Sequence, residues 1–339
     1  MLFWAGVDLF FVISGFLITN ILIRAKRTKG QYFRSFYARR VLRIFPVYYS
    51  LLALEFIILP LFGIHPAGSD TEKFSYYYWT FTSNYLPLLT GSRLMLGHLW
   101  TIAVEEQFYL CWPLLIYLAS EKTLRWLFPV LLALGVGLRI FLLLEGRSFV
   151  FVKGIPFTHA DGLLLGGWLV FALSKGYRFC VPKPRWITLS LILSAVLPTL
   201  LTLNIFGLTA DSDSWDWLQG GFVVLALSLT FAWLLALSIN LGNIVSNAFS
   251  SKILRWVGTY SYGLYLWHFP VAWMLRAPLG SLTANVAQQY HPLLAHLVFV
   301  AAMLAASMTV AVLSWKLIEQ PFLKLKKCFP YQRATPAGL

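Results

Sequence analysis

The sequence predicts an all-α polytopic membrane protein with about nine transmembrane helices and one short interfacial or re-entrant segment. Three observations carry that prediction. Apolar residues fill 59% of the 339 positions and charged residues only 12%, against roughly 25% charged in a soluble domain, so most of the surface has to face lipid. Apolar runs recur along the chain, each near the ~20 residues that cross a hydrocarbon core. The net charge of +14 sits in short segments between those runs, which is where a membrane protein keeps Lys and Arg. It is therefore read as topological, and nucleic acid is not expected as a partner.

The spans read in order as 7–23, 45–63, 99–119, 125–144, 157–174, 186–206, 219–238, 258–275 and 293–317. No basic stretch, short apolar core and small-residue cleavage site precedes the first run, so it is a spanning helix and no cleaved signal. Tyr76–Leu89 is too short and polar for another span. Its aromatic residues favour the headgroup level, hence the interfacial or re-entrant reading. Cys111, Cys180 and Cys328 lack metal-ligand spacing, and neither a metal site nor a disulfide is expected. No internal repeat, low-complexity tract or soluble domain is found.

Charge then sets direction. Arg24, Lys26, Arg27, Lys29, Arg34, Arg39, Arg40 and Arg43 lie between the first two spans with no acid among them. With that segment in the cytoplasm, alternation puts 20 basic residues inside and five outside, and makes Asp211, Asp213 and Asp216 an acidic outer loop. The C-terminus is then cytoplasmic, and the protein is expected to be multi-pass in the cell inner (plasma) membrane.

Charges among spanning helices cost about 2.5–3.5 kcal/mol each on insertion scales, so each is a functional candidate. They are Asp8, Glu105, Glu106, Arg139, Asp161, His268 and Glu319, and each also has a structural reading. Asp8 can cap a helix. Glu105 and Glu106 point about 100° apart on a helix, so at most one need face a cavity. Arg139 and Asp161 can neutralise each other as a buried ion pair. His268 can be a hydrogen-bonded packing element, and Glu319 an interfacial or tail contact.

In Arg39-Arg40-Val41-Leu42-Arg43-Ile44-Phe45-Pro46, Arg39 and Arg43 share a helix face and Arg40 adjoins Arg43. Arginine's planar fork binds phosphate through two parallel hydrogen bonds. Pro46 marks a break or a helix start at the membrane surface. The cluster is either a site for the phosphates of a nucleotide-like donor or a topogenic signal that holds anionic lipid heads.

Taken together, six segments resemble the acyltransferase-3 family of integral membrane acyltransferases, which O-acylate glycans and other small molecules. They are Gly6 to Thr19, Tyr37 to Tyr49, Leu99 to Tyr109, Ala160 to Gly166, Ser261 to Pro270, and Ser314 to Phe322. The third resembles the family's Trp-Ser-Leu-x-Val-Glu-Glu-Gln-Phe-Tyr motif, with Thr101 in place of Ser. The likeness covers essentially the whole chain in the family's order. It implies a ten-helix core of which this chain lacks the first helix, the one that carries an arginine and a histidine general base in the family. Residues 1–323 are thus expected to be an N-terminally incomplete membrane acyltransferase domain, and 324–339 a short basic cytoplasmic tail.

The resemblance implies transfer of an acyl group, acetyl in many members, from acyl-CoA to a hydroxyl of a glycan or other small acceptor. Acyl-CoA (acetyl-CoA) would be a donor substrate, with no cofactor bound permanently. Arg39, Arg40 and Arg43 would bind the donor, while Asp8, Glu105, Glu106, Asp161 and His268 would orient or deprotonate the acceptor. Two other classes stay open: a catalytically inactive relative acting as a scaffold, and a transporter of a glycan or lipid-linked sugar. Labelled acyl-CoA separates enzyme from transporter, and the genomic DNA upstream of Met1 separates enzyme from scaffold.

The charge-based topology has its own check. An impermeant maleimide on intact cells should label Ser212→Cys and leave Thr28→Cys unlabelled; the reverse pattern would invert the reading.

Overall fold

A computed structural model describes residues 5–28, 31–65, 68–90, 96–174, 221, 223–239, 244–289 and 291–331. Among the described residues all regular structure is helical. The expected span 186–206, the acidic segment around Asp211 to Asp216, Cys180 and the tail beyond Tyr331 lie outside them.

Helices α1 (Ala5–Arg27) and α2 (Tyr32–Ala53) come first, and α2 continues through a π turn, Leu54–Ile58, to Leu61. Then come α3 (Trp100–Leu118), α4 (Glu121–Leu144), α5 (Asp161–Ser174), α6 (Val224–Ile239), α7 (Lys252–Gln289) and α8 (Pro292–Ser314). A second π turn, Trp315–Glu319, extends α8 into short helical pieces at Gln320–Lys324 and Leu325–Cys328. Among the described residues, four helical stretches are long and apolar enough to cross a membrane: Gly6–Arg27, Tyr32–Leu61, Glu121–Leu144 and Leu293–Cys328. Asp161–Leu173 and Val224–Ile239 are apolar but shorter. The stretch read as interfacial or re-entrant consists of Ser75–Trp79, Ser83–Tyr85 and Leu86–Thr90. It is pinned to α3 by Gln107, whose amide donates to Phe81 O at 2.8 Å and Asn84 Oδ1 at 2.9 Å.

Two sequence-based boundaries are corrected. The second helix starts at Tyr32 and not near 45, so the arginine cluster lies on a helix, with Pro46 inside it. A proline here removes one intrahelical bond, and the Ser50 hydroxyl donates to Pro46 O at 2.6 Å. Long basic side chains let a helix run past its apolar stretch, since their stems lie on apolar surface while the charge reaches out. The helix expected at 258–275 likewise extends over Lys252–Gln289.

Backbone contact between α1 and α5 centres the bundle. A Cβ at Gly15 would stand 2.1 Å from Leu163 O, and one at Gly166 would stand 2.0 Å from Val12 O. Small residues let spanning helices approach this closely and gain van der Waals contact. Helix α3 joins through Trp112 Nε1, which donates to Thr19 Oγ1 at 2.9 Å. Tyr32 and Tyr37 of α2 donate to the α3 carbonyls of Pro113 and Leu110, both at 2.9 Å. Lys26 Nζ donates to Ile116 O at 2.9 Å and Ala119 O at 2.7 Å, which satisfies carbonyls that a helix end leaves open. We call this the basic end of the bundle.

Gly166→Leu should force α1 and α5 apart and cost at least about 1–3 kcal/mol, the usual range for overpacking. A melting temperature of the purified protein equal to that of the wild type would show that the crossing is not needed.

Candidate active site

Two groups of polar residues stand out inside the bundle among the described residues. The first gathers near the start of α1. Asp161 opens α5 and is held by the fully buried Arg139 of α4 through Nη1–Oδ1 at 3.0 Å and Nη2–Oδ2 at 2.9 Å. Arg139 Nη1 also donates to Thr158 O at 2.8 Å. This is the ion pair that the sequence offered as one reading. A charge pair at this depth holds only with close geometry and further hydrogen bonds, and both are present. Asp8, in the first turn of α1, is 1% exposed. Its Oδ1 stands 3.5 Å from His159 Nε2, while Oδ2 has no hydrogen-bond partner. The His159 ring is enclosed by Phe11, Trp100 and Phe149.

The second group lies midway along α1 and α3. The Ser14 hydroxyl is 2.6 Å from Glu105 Oε1 and 2.6 Å from the Tyr109 hydroxyl. Tyr109 also donates to Glu105. The Arg40 guanidinium reaches in from α2, its Cζ 4.9 Å from the centre of the Tyr109 ring. Cations are attracted to the face of an aromatic ring at such range.

Glu105 also opens on a cavity of about 590 Å³ between α1, α3, α7 and α8. Its walls are mainly apolar, with Val7, Phe10, Ile102, Phe299 and Met303, and its polar wall carries Glu105, Tyr262, Tyr265 and His268. Tyr265 and Thr101 share a hydrogen bond at 2.6 Å, and Tyr265 also donates to His98 O. His268 Nδ1 is 2.6 Å from Tyr265 O. A carbonyl can only accept, so Nδ1 carries the proton and Nε2 of the neutral ring keeps its lone pair. The cavity wall thus includes the Glu105 carboxyl and the ring of His268, whose Nε2 is able to accept a proton. Its size and lining suit a small-molecule site.

Of the residues singled out in the sequence, the structure brings Glu105 and His268 to this cavity. Glu106 is half-buried and lies in the field of Arg40 and of Tyr48 and Tyr49. Asp8 and Asp161 belong to the first group. The three arginines diverge: Arg39 meets the segment after α8, Arg40 turns inward, and Arg43 is exposed. Glu319, read as an interfacial or tail contact, is instead 3% exposed, with Oε1 unpartnered beside Gly263. Sequence reasoning also passed over Ser14, Tyr109, Tyr265 and His159. Tyr109 had a signal, since four residues after Glu105 places it on the same helix face.

An all-helical membrane bundle that encloses a carboxylate, an imidazole and arginines has the parts of a membrane-embedded acyl-transfer enzyme. The family model described as "Acyltransferase domain" matches residues 1–316, and the chain belongs to that family. It is 29% identical over 339 residues to the peptidoglycan O-acetyltransferase OatA of Listeria monocytogenes, an alignment covering 94% of this chain and 51% of that protein. It is 31% identical over 284 residues to the O-acetyltransferase OatA of Staphylococcus aureus, covering 78% of this chain and 45% of the relative. The chain thus spans about half the length of these curated relatives. No solved structure matches it.

Arg139→Met should cost about 3–5 kcal/mol by leaving Asp161 buried and unpaired. Arg139→Met with Asp161→Leu should recover most of that loss in thermal unfolding of the purified protein. Equal losses in the single and double variants would refute the pairing.

Proposed function

We propose that the chain is the acyl-transferring unit of a membrane O-acyltransferase. It moves an acetyl group from acetyl-CoA to a hydroxyl of a glycan. The supporting observation is that Tyr109 links the two halves such a reaction needs. Its hydroxyl contacts Glu105, which opens on the cavity, and its ring carries Arg40 from the basic end.

The chemistry can be written as bond changes. The acceptor oxygen attacks the thioester carbonyl, the new C–O bond forms, the C–S bond breaks, and the thiolate leaves with coenzyme A. The hydroxyl proton passes to a base, and an imidazole free at Nε2 suits that role near neutral pH. His268 is that base in our reading. Glu105, fixed by Ser14 and Tyr109, orients the acceptor hydroxyl. Arg40 and Arg43 hold the donor phosphates. Asp161 ties α5 to Arg139 of α4, and Asp8 faces His159. A glycan acceptor is supported by the relatives named above.

Labelled acetyl-CoA given to the protein in membranes should label a membrane-associated glycan. His268→Gln and Glu105→Gln should each lower the rate by about 100-fold or more, with expression and melting temperature retained. Wild-type rates in both variants would sink the assignment. Arg40→Ala should raise the KM for acetyl-CoA and leave membrane insertion unchanged; an unaltered KM would remove Arg40 from the donor site.

A further inference from the structure

The segment after α8 is not a free tail: it seats on the arginine face of α2. Arg39 Nη1 donates to Lys326 O at 3.1 Å and to Phe329 O at 3.0 Å, and the Ser35 hydroxyl donates to Pro330 O at 3.1 Å. The Tyr331 ring covers the Arg39 guanidinium at 5.2 Å. These anchors use backbone carbonyls and one ring, so they hold the segment without help from the Lys326 side chain. They nevertheless leave Lys326 half-buried and within the fields of Arg43, Arg40 and Arg39.

Lys326 is thus carried to the arginine face of α2, within the fields of Arg43, Arg40 and Arg39. Among the described residues, none of the four makes a direct ion pair with a carboxylate; Glu105 and Glu106 reach Arg40, and Glu105 and Glu319 reach Arg43, only as more distant fields, and Lys326 has cations alone around it. Like charges gathered where water is partly excluded repel strongly, and an isolated cation there is costly. Nothing in the anchoring of the segment demands this arrangement, but a multivalent anion shared among Lys326, Arg40 and Arg43 would offset it. A single carboxylate brings one charge, whereas a pyrophosphate or phosphomonoester brings two or more, with oxygens that match the forks of arginine and the point charge of lysine.

We infer that Lys326 completes a phosphate-binding site together with Arg40 and Arg43, with Arg39 holding the segment that delivers it. The site takes a phosphate-bearing anion. For the coenzyme A end of the donor this rests on the function proposed above; a phospholipid headgroup offers the same chemistry.

The test uses the full chain in nanodiscs, with Lys327→Gln as a control that removes an equal charge from an exposed neighbour. In zwitterionic discs, Lys326→Gln should weaken coenzyme A binding roughly tenfold or more, the scale of a lost charged hydrogen bond. Lys327→Gln should stay within about twofold with an unchanged ligand-free melting temperature, whereas Lys326→Gln, relieved of like-charge repulsion, should melt at or above the wild type without ligand. A second set of discs contains phosphatidylglycerol, with lipid retention read by native mass spectrometry. If the wild type binds no coenzyme A but retains anionic lipid in a Lys326-dependent way, the site stands with a lipid ligand and the donor reading falls. If Lys326→Gln binds both anions as the wild type does, or Lys327→Gln loses as much, the inference is overturned.

Discussion

Where α1 crosses α5, the Val12 carbonyl occupies the space that a side chain at residue 166 would need, and the Leu163 carbonyl does the same at residue 15. That contact admits little rotation or sliding. It fixes the azimuth of α1, so Asp8 faces His159 while Ser14, six positions on, faces Glu105 and Tyr109 of α3. Packing in lipid lacks a hydrophobic drive between helices, so close backbone approach and interhelical hydrogen bonds supply the specificity. The polar groups of both clusters hang from this one crossing.

The buried charges divide by whether they have partners. Arg139 and Asp161 satisfy each other and Thr158 O, leaving only Arg139 Nε open. Asp8, Glu55, Glu106 and Glu319 each keep an oxygen without a hydrogen bond. Removing such groups from water is costly unless something repays it. The paired set behaves as structural glue. In the incompletely satisfied set, Glu106 lies in the field of Arg40, Glu319 sits beside Gly263 of α7 in the field of Arg43, and Asp8 faces His159.

Much of this was legible in the sequence. Apolar runs located the helices because lipid-spanning length is set by bilayer thickness. Glu105 and His268 could be singled out because an ionisable group in an apolar run is rare enough to be noticed. Three-dimensional convergence was not legible. Ser14 and Tyr265 look like ordinary residues of an apolar helix until a partner far along the chain faces them. Arg39, Arg40 and Arg43 read as one cluster, yet successive positions on a helix turn by about 100°, so Arg39 meets the segment after α8 while Arg40, its neighbour, lies over Tyr109 of α3. The start of α2 was misplaced because hydropathy marks where lipid begins, and a helix is free to begin earlier.

The π turn at Trp315–Glu319 has a geometric effect on the terminal segment. A wider turn takes up one residue more than an α-helical turn, and each residue of an α-helix rotates the next by about 100°. Everything beyond Glu319 is therefore indexed by that local widening, including the angle at which Lys326 approaches α2. Shortening the widened turn by one residue would leave composition and hydropathy almost untouched and swing the chain's end to another side of the bundle. In this helix, one surplus residue acts as a compass bearing.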